Sequence, residues 1–121
     1  MLGALEGRWN TLEVKKEDLL NEKYAQKFNF HDNIIVLVKY ENKIMRCSIK
    51  SDATQPVSIV VIFYNLSFLK ISYKEATIWD NKAIFDWTCS ESDGGNLKFN
   101  ILLNNIERIE LICEKVYLEK C

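Results

Sequence analysis

The stretch that decides the fold is residues 34–50, IIVLVKYENKIMRCSIK, in which apolar and polar side chains alternate on both sides of Glu41 and Asn42. Alternation with a period of two predicts β-strands, and a two-residue connection between two such runs predicts a hairpin. With Glu41 and Asn42 as the turn, Val38 faces Met45 across the hairpin. One face of this hairpin is then almost wholly apolar and the other is mostly polar.

Further alternating runs follow along the chain. The stretch EATIWDNKAIFDWTC predicts a second hairpin that turns near Asp80 and Asn81, and the loop SESDGGN separates it from the run LKFNILL. Asn104 and Asn105 permit another tight turn into the last strand. The side chains predicted to share inner faces are Ala76, Ile78, Ala83, Phe85, Trp87 and Cys89 in the second hairpin, Leu97, Phe99, Ile101 and Leu103 in the next strand, and Ile109, Leu111, Cys113, Lys115 and Tyr117 in the last.

One segment has a helical pattern instead. In KKEDLLNEKYAQKF, Leu19, Leu20 and Tyr24 form a modest apolar stripe, which predicts a short amphipathic helix around Asp18 to Lys27. The chain length of 121 residues fits one domain with one core, spanning 1–121. Eight or nine antiparallel strands in mostly hairpin order, with one helix after the first strand, predict an all-β protein of the up-and-down barrel type.

Composition excludes several classes of function. The 16 basic residues are balanced by 17 acidic ones, giving a net charge of −1, whereas a nucleic-acid-binding protein usually carries a clear basic excess. The longest apolar run, Ile59–Tyr64, is about a third of a membrane span, so we expect no membrane crossing. The opening MLGAL is too short for a signal peptide, which weakly favours the cytoplasm, although a removed leader would leave the same pattern.

The residue types that carry catalysis or metal binding are sparse. The four cysteines, Cys47, Cys89, Cys113 and Cys121, form no Cys-x-x-Cys pair, and His31 is the single histidine, so a zinc site is not expected. Free buried thiols and, in a secreted protein, disulfides both remain open. No nucleophile motif or glycine-rich phosphate loop is present, and we expect neither an enzyme nor a cofactor.

Two short motifs resemble the calycins, the lipocalins and the intracellular fatty-acid-binding proteins. LEGRW at residues 5–9 is similar to the Gly-x-Trp of their first strand, and CEKVYLEK at residues 113–120 resembles the closing strand of the fatty-acid-binding branch. The resemblance implies a barrel that holds a small hydrophobic or amphipathic molecule, with Trp9 closing one end. Where that branch has an arginine that grips a carboxylate, this chain has Lys115, a hydrated point charge without a planar fork.

Two functions therefore remain open. The first is a non-enzymatic binding protein with a small apolar or amphipathic ligand inside the barrel, where Lys115 and Tyr117 would receive an anionic group. The alternative for Lys115 is that its stem packs over Trp9 and its charge reaches water at the rim. The second is a protein-interaction or homodimerising module with a filled interior and an apolar outer patch, formed by Trp79, Ile84 and whichever of Phe63 and Phe68 faces outward. The candidate ligand-binding residues are Val36, Val38, Tyr40, Met45, Cys47, Phe85, Trp87, Phe99, Lys115 and Tyr117.

Overall fold

The computed structural model describes residues 11–20, 30, 32–72, 82–103 and 107–120. In this part of the chain there are nine strands, one short α-helix and one 3₁₀ turn at Asp93–Gly95. The helix α1 is Lys16–Leu20. The strands are β1 (Thr11–Val14), β2 (Ile34–Glu41), β3 (Ile44–Lys50), β4 (Ile59–Tyr64), β5 (Phe68–Ser72), β6 (Lys82–Glu91), β7 (Leu97–Leu103), β8 (Glu107–Cys113) and β9 (Lys115–Lys120).

The strands are hydrogen-bonded in the order β1-β9-β4-β3-β2-β6-β7-β8-β5, and every pair is antiparallel. We call β1, β9, β4, β3 and β2 the first half-sheet, and β6, β7, β8 and β5 the second. A short ladder of Ile34 and Ile35 with Ala83 and Lys82 joins the two halves. The all-β prediction, with one short helix after the first strand, is confirmed.

A corner joins the half-sheets a second time. The segments β4–β5 and β8–β9 are neighbours in both half-sheets, and hydrogen bonds continue between them through the bend. The backbone N–H of Ser67 donates to Ile112 O at 2.9 Å, and that of Glu114 donates to Tyr64 O at 3.0 Å. Asn65 adopts a φ of 59° at the bend, where its side-chain amide donates to Glu114 Oε1 at 2.9 Å. The segments β4–β5 and β8–β9 thus behave as two long bent strands that stay paired on both sides of the bend. For this reason β9 lies between β1 and β4, and the strand order differs from a simple meander.

The core lies between the two half-sheets, and it is most regular in β7 and β8. Their inward positions are buried and the intervening ones are not, as the alternation predicts. The inner faces of Leu97, Phe99, Ile101 and Leu103, and of Ile109, Leu111 and Cys113, are confirmed. The described residues form no ladder between β1 and β5, the two ends of the strand order.

The β2–β3 hairpin turns one residue later than predicted. Asn42 and Lys43 have φ values of 53° and 63°, the left-handed geometry of a tight hairpin turn, so Val38 pairs with Cys47 rather than with Met45. The register therefore moves by two residues, which leaves the predicted faces of these residues unchanged because the side-chain period is also two. A bulge at Val36 then brings Ile35, where an unbroken register would bring Val36, opposite Ile49 and into the core.

A second bulge corrects the prediction for β6. The register shifts between Ile84 and Asp86, so Ile84 and Trp87 both face inward while Phe85 is about half exposed. The inner face predicted for Phe85 and the outer face predicted for Ile84 are both wrong, because one extra residue reverses the alternation. The predicted turn at Asp80 and Asn81 lies outside the described residues, as do Trp79, Asn104, Asn105 and His31.

Helix α1 is shorter in the described residues than the predicted span of Asp18 to Lys27, since positions 21–29 lie outside them. Leu19 is buried in the core, and the Nζ of Lys16 lies 2.6 Å from the Oε2 of Glu91 at the end of β6. Leu19, the half-buried Leu20 beside it and one ion pair thus attach α1 to the protein. Within the described ranges, no helix has the length and apolar character to cross a membrane.

Candidate functional site

Four aromatic rings pack together in the interior. Trp87 contacts Phe30, Phe63 and Phe99 with ring centroids 4.9, 5.9 and 6.0 Å apart, and Phe63 meets Phe99 edge to face at 5.0 Å. These separations are the ones that favourable aromatic pairs adopt. We call Phe30, Phe63, Trp87 and Phe99 the aromatic cluster, which lies in the core and against it.

Burial shows how tightly this region is packed. A side chain that lined a ligand-sized void would present surface to a water molecule inside it, yet Phe63 is 0% exposed and Phe99 is 1% exposed. Met45 and Cys47, on the strand beside Phe63, are likewise fully buried. The interior around these residues is therefore filled by side chains.

The ten predicted ligand-binding residues do not lie together in the structure. Val38 is half-buried against the core, whereas Val36 at the bulge is half-buried without belonging to it, and Tyr40 and Phe85 are about half exposed. The inward orientation predicted for Phe85 is wrong, because of the bulge in β6. Tyr40 keeps the inner parity opposite Met45, but it lies beyond the stretch where β2 pairs with β6 among the described residues. Those that do lie together in the core are Met45, Cys47, Trp87 and Phe99.

Lys115 and Tyr117 do not point into the core, contrary to the prediction. The bend at Glu114 reverses the alternation, so that Val116 and Leu118 pack into the core. Tyr117 is buried outside that core cluster, with its ring 6.1 Å from Tyr64. The cation and the phenol therefore belong to the outer face of the first half-sheet and do not form the predicted interior anion site.

The described cysteines are free thiols with suppressed acidity. Burial raises the pKa of Cys47 to about 12, and the pKa values of Cys89 and Cys113 also rise to about 12. Cys89 and Cys113 lie on β6 and β8 with β7 between them, which separates their Cα atoms by about 10 Å and excludes a disulfide. Since the thiolate is the reactive form, these three groups are inert near neutral pH.

The outer surface carries several large apolar side chains. Phe68 and Phe85 lie on opposite margins of the second half-sheet, and Leu37 lies on β2 of the first. Of the predicted outer residues, Phe68 faces outward and Phe63 is buried. By contrast, Ile62 and Tyr117, on the outer face of β4 and β9, are buried, so that part of the face is covered. The exposed large apolar residues are Leu12, Leu37, Tyr40, Phe68 and Phe85, at 41–62% exposure.

Two cations face each other on the β2–β3 hairpin. Lys39 and Arg46 are direct cross-strand partners, and both side chains are exposed. Sequence reasoning missed this pair, because a turn at Glu41 and Asn42 places Lys39 opposite Ile44. The missed signal is the Asn42-Lys43 dipeptide, since asparagine readily adopts the left-handed geometry of the first turn position.

A comparison of the chain with protein-family models, with curated proteins and with solved structures finds no match. The described residues thus define the protein by its architecture, an antiparallel all-β fold of two joined half-sheets around a packed interior. The resemblance of LEGRW and CEKVYLEK to the calycins remains a prediction. In the described part of the chain, no three His, Cys, Asp or Glu side chains group closely enough to hold a metal ion.

Proposed function

We propose that the protein is a non-enzymatic binding protein that recognises another protein chain through the outside of its β-structure. The observation that carries this proposal is the packed interior, where Phe63 and Phe99 are fully buried against Trp87. A binding protein whose interior is filled must use its surface. The exposed Leu37, Phe68 and Phe85 supply apolar contacts of the kind that anchor protein interfaces.

The alternative, an interior ligand, makes a different structural demand. To admit a molecule beside Met45 or Phe99, the aromatic cluster would have to open and lose ring contacts worth about 0.5–1.5 kcal/mol each beyond their apolar burial. The inner residues suggested for that ligand include no cation, since Lys115 lies on the outer face. For these reasons the surface-binding function is the better supported of the two.

Native mass spectrometry of the full chain, purified from its own host, tests the proposal. We expect the chain without any small molecule, together with a species of higher mass that contains either a second copy or another protein. Replacing both Phe68 and Phe85 by Ser should reduce that species, whereas replacing Thr88 by Ala on the same outer face should not. A stoichiometric small molecule that leaves only when the chain unfolds would instead establish the interior-ligand function.

A further inference from the structure

The β2–β3 hairpin concentrates positive charge in a chain that is slightly acidic overall. Residues 34–50 contain four cations and one carboxylate, whereas the whole chain has a net charge of −1. Lys50 lies near the Asp52 carboxylate and donates to Ala53 O at 3.5 Å, so it is engaged locally. The other three cations, Lys39, Lys43 and Arg46, are exposed and form what we call the basic hairpin face.

Among the described residues, the cations of this face have no partner. The ion pair found among the described residues is Lys16 with Glu91, and Lys39, Lys43 and Arg46 form none. Glu41 lies two positions from Lys39 on the same strand, yet its carboxylate pairs with neither Lys39 nor Arg46. Their charges therefore remain available to a group from outside the chain.

The arrangement also costs stability. Like charges directly opposite each other on antiparallel strands repel, and Lys39 and Arg46 occupy such a position. The turn adds a second cost, because Lys43 adopts a φ of 63°, where glycine is preferred. This hairpin therefore has two unfavourable features, and a single substitution would remove each of them. Such features are expected where the residues serve a purpose other than folding.

An apolar side chain adjoins the cations. Leu37 is 41% exposed and lies two positions before Lys39, so both project from the same face of β2 beside Ser48 and Arg46 on β3. A partner that fits this face carries carboxylates for the cations and an apolar side chain for Leu37. Arginine suits such contacts because its planar guanidinium binds a carboxylate through two hydrogen bonds.

We infer that the basic hairpin face binds an acidic segment of a partner protein. This inference rests on the proposed surface-binding function and names the chemistry of the partner. Three cations beside an exposed leucine match a short acidic stretch with an apolar residue. A nucleic-acid site usually needs a larger basic surface than a chain of net charge −1 offers. An anionic membrane is likewise attracted by larger clusters of Lys and Arg.

The test uses the full ¹⁵N-labelled chain and a synthetic peptide of glutamate and serine with one leucine. We expect amide signals of residues 37–48 to shift on titration, with affinity that falls as the ionic strength rises from about 0.05 to 0.3 M. Lys39→Glu combined with Arg46→Glu should weaken binding about tenfold. The matched control, Lys70→Glu with Lys98→Glu, makes the same change in net charge on the exposed outer face of the second half-sheet and should leave the affinity nearly unchanged.

A further readout separates binding from stability. Lys39→Glu alone creates an attractive pair with Arg46, so it should make the hairpin more stable while it weakens peptide binding. Equal loss of affinity in both double variants would overturn the inference, and so would tighter binding at residues 37–48 by an oligothymidylate or by phosphatidylserine vesicles. If the peptide does not bind but the chain still associates through Phe68 and Phe85, the inference fails and the proposed function stands.

Discussion

Trp87 on β6 and Phe63 on β4 bring the two half-sheets into contact, with ring planes inclined by 29° and centroids 5.9 Å apart. The two residues are 24 positions apart in the chain and lie in different half-sheets. Their contact joins the halves inside the core, while the corner at Asn65 and Glu114 joins them through backbone hydrogen bonds. Removing one ring should therefore loosen the packing between the half-sheets.

The first prediction compares two phenylalanines that are five positions apart. Phe63→Ala should lower the free energy of unfolding by about 3–5 kcal/mol, because it leaves a cavity among Trp87 and Phe99. Phe68→Ala should lower it by less than about 1 kcal/mol, because Phe68 is 45% exposed. Urea unfolding followed by circular dichroism measures both. If Phe63→Ala does not fold, Phe63→Leu can be compared with Phe68→Ala instead. Similar small losses of unfolding free energy at both positions would contradict a packed interior.

The second prediction concerns charge across the hairpin. Lys39→Glu should raise the free energy of unfolding by about 0.2–1 kcal/mol, because it replaces a repulsive pair with an attractive one opposite Arg46. Adding Arg46→Glu restores a like-charge pair and should cancel the gain, so that the double-mutant cycle reports the interaction itself. The gain should shrink at high salt, since both side chains are exposed. A coupling energy of zero at low salt would show that the two side chains do not interact across the hairpin.

The third prediction concerns the hairpin turn. Lys43→Gly should raise the free energy of unfolding by up to about 1 kcal/mol, because glycine adopts a φ of 63° without the steric cost that lysine incurs. Lys70→Gly, in the extended strand β5, is the control and should lower it by about 0.5–1 kcal/mol. Guanidinium unfolding distinguishes the two signs. A loss of stability in Lys43→Gly would mean that the lysine side chain stabilises the turn by contacts of its own.

The fourth prediction uses the raised pKa of Cys47. Because its thiol has a pKa of about 12 in the folded protein and 9.0 as the reference value, the unfolded chain loses this proton first as the pH rises. The contribution of Cys47 to stability is thus complete below pH 9 and falls by about 1.4 kcal/mol per pH unit above it. Urea unfolding between about pH 8 and 10.5 should show the difference between wild type and Cys47→Ala narrowing accordingly.

Ile49→Val provides the control for the Cys47 experiment. Ile49 is buried on the same face of β3 and does not titrate, so its variant should differ from wild type by a constant amount, about 0.5–1.5 kcal/mol, across this pH range. If the Cys47→Ala difference is equally constant, water reaches the thiol in the folded protein. Such access would also argue against the filled interior.

Local alternation predicted strands correctly wherever the strand is regular. In β7 and β8 every second side chain is buried from end to end, because no residue there breaks the period of two. The same reasoning failed before Val36, at Phe85 and after Glu114, where a bulge or bend inserts one residue, so that the side chains before and after it do not follow one alternation. A bulge depends on which strand lies alongside, so a strand's own sequence does not reveal it.

By itself the sequence determined the all-β class and the inner faces of the regular strands. It also showed that the interior is either filled or holds a ligand, without deciding between the two. Those conclusions depend on period and composition, which are local. Only the tertiary structure decided the strand order, the meeting of Trp87 with Phe63, and the placement of Lys39 opposite Arg46. The first two depend on pairing between distant segments, and the third depends on where the hairpin turns. A shift in register of one or two residues, which the sequence of a single strand does not show, changes which side chains meet.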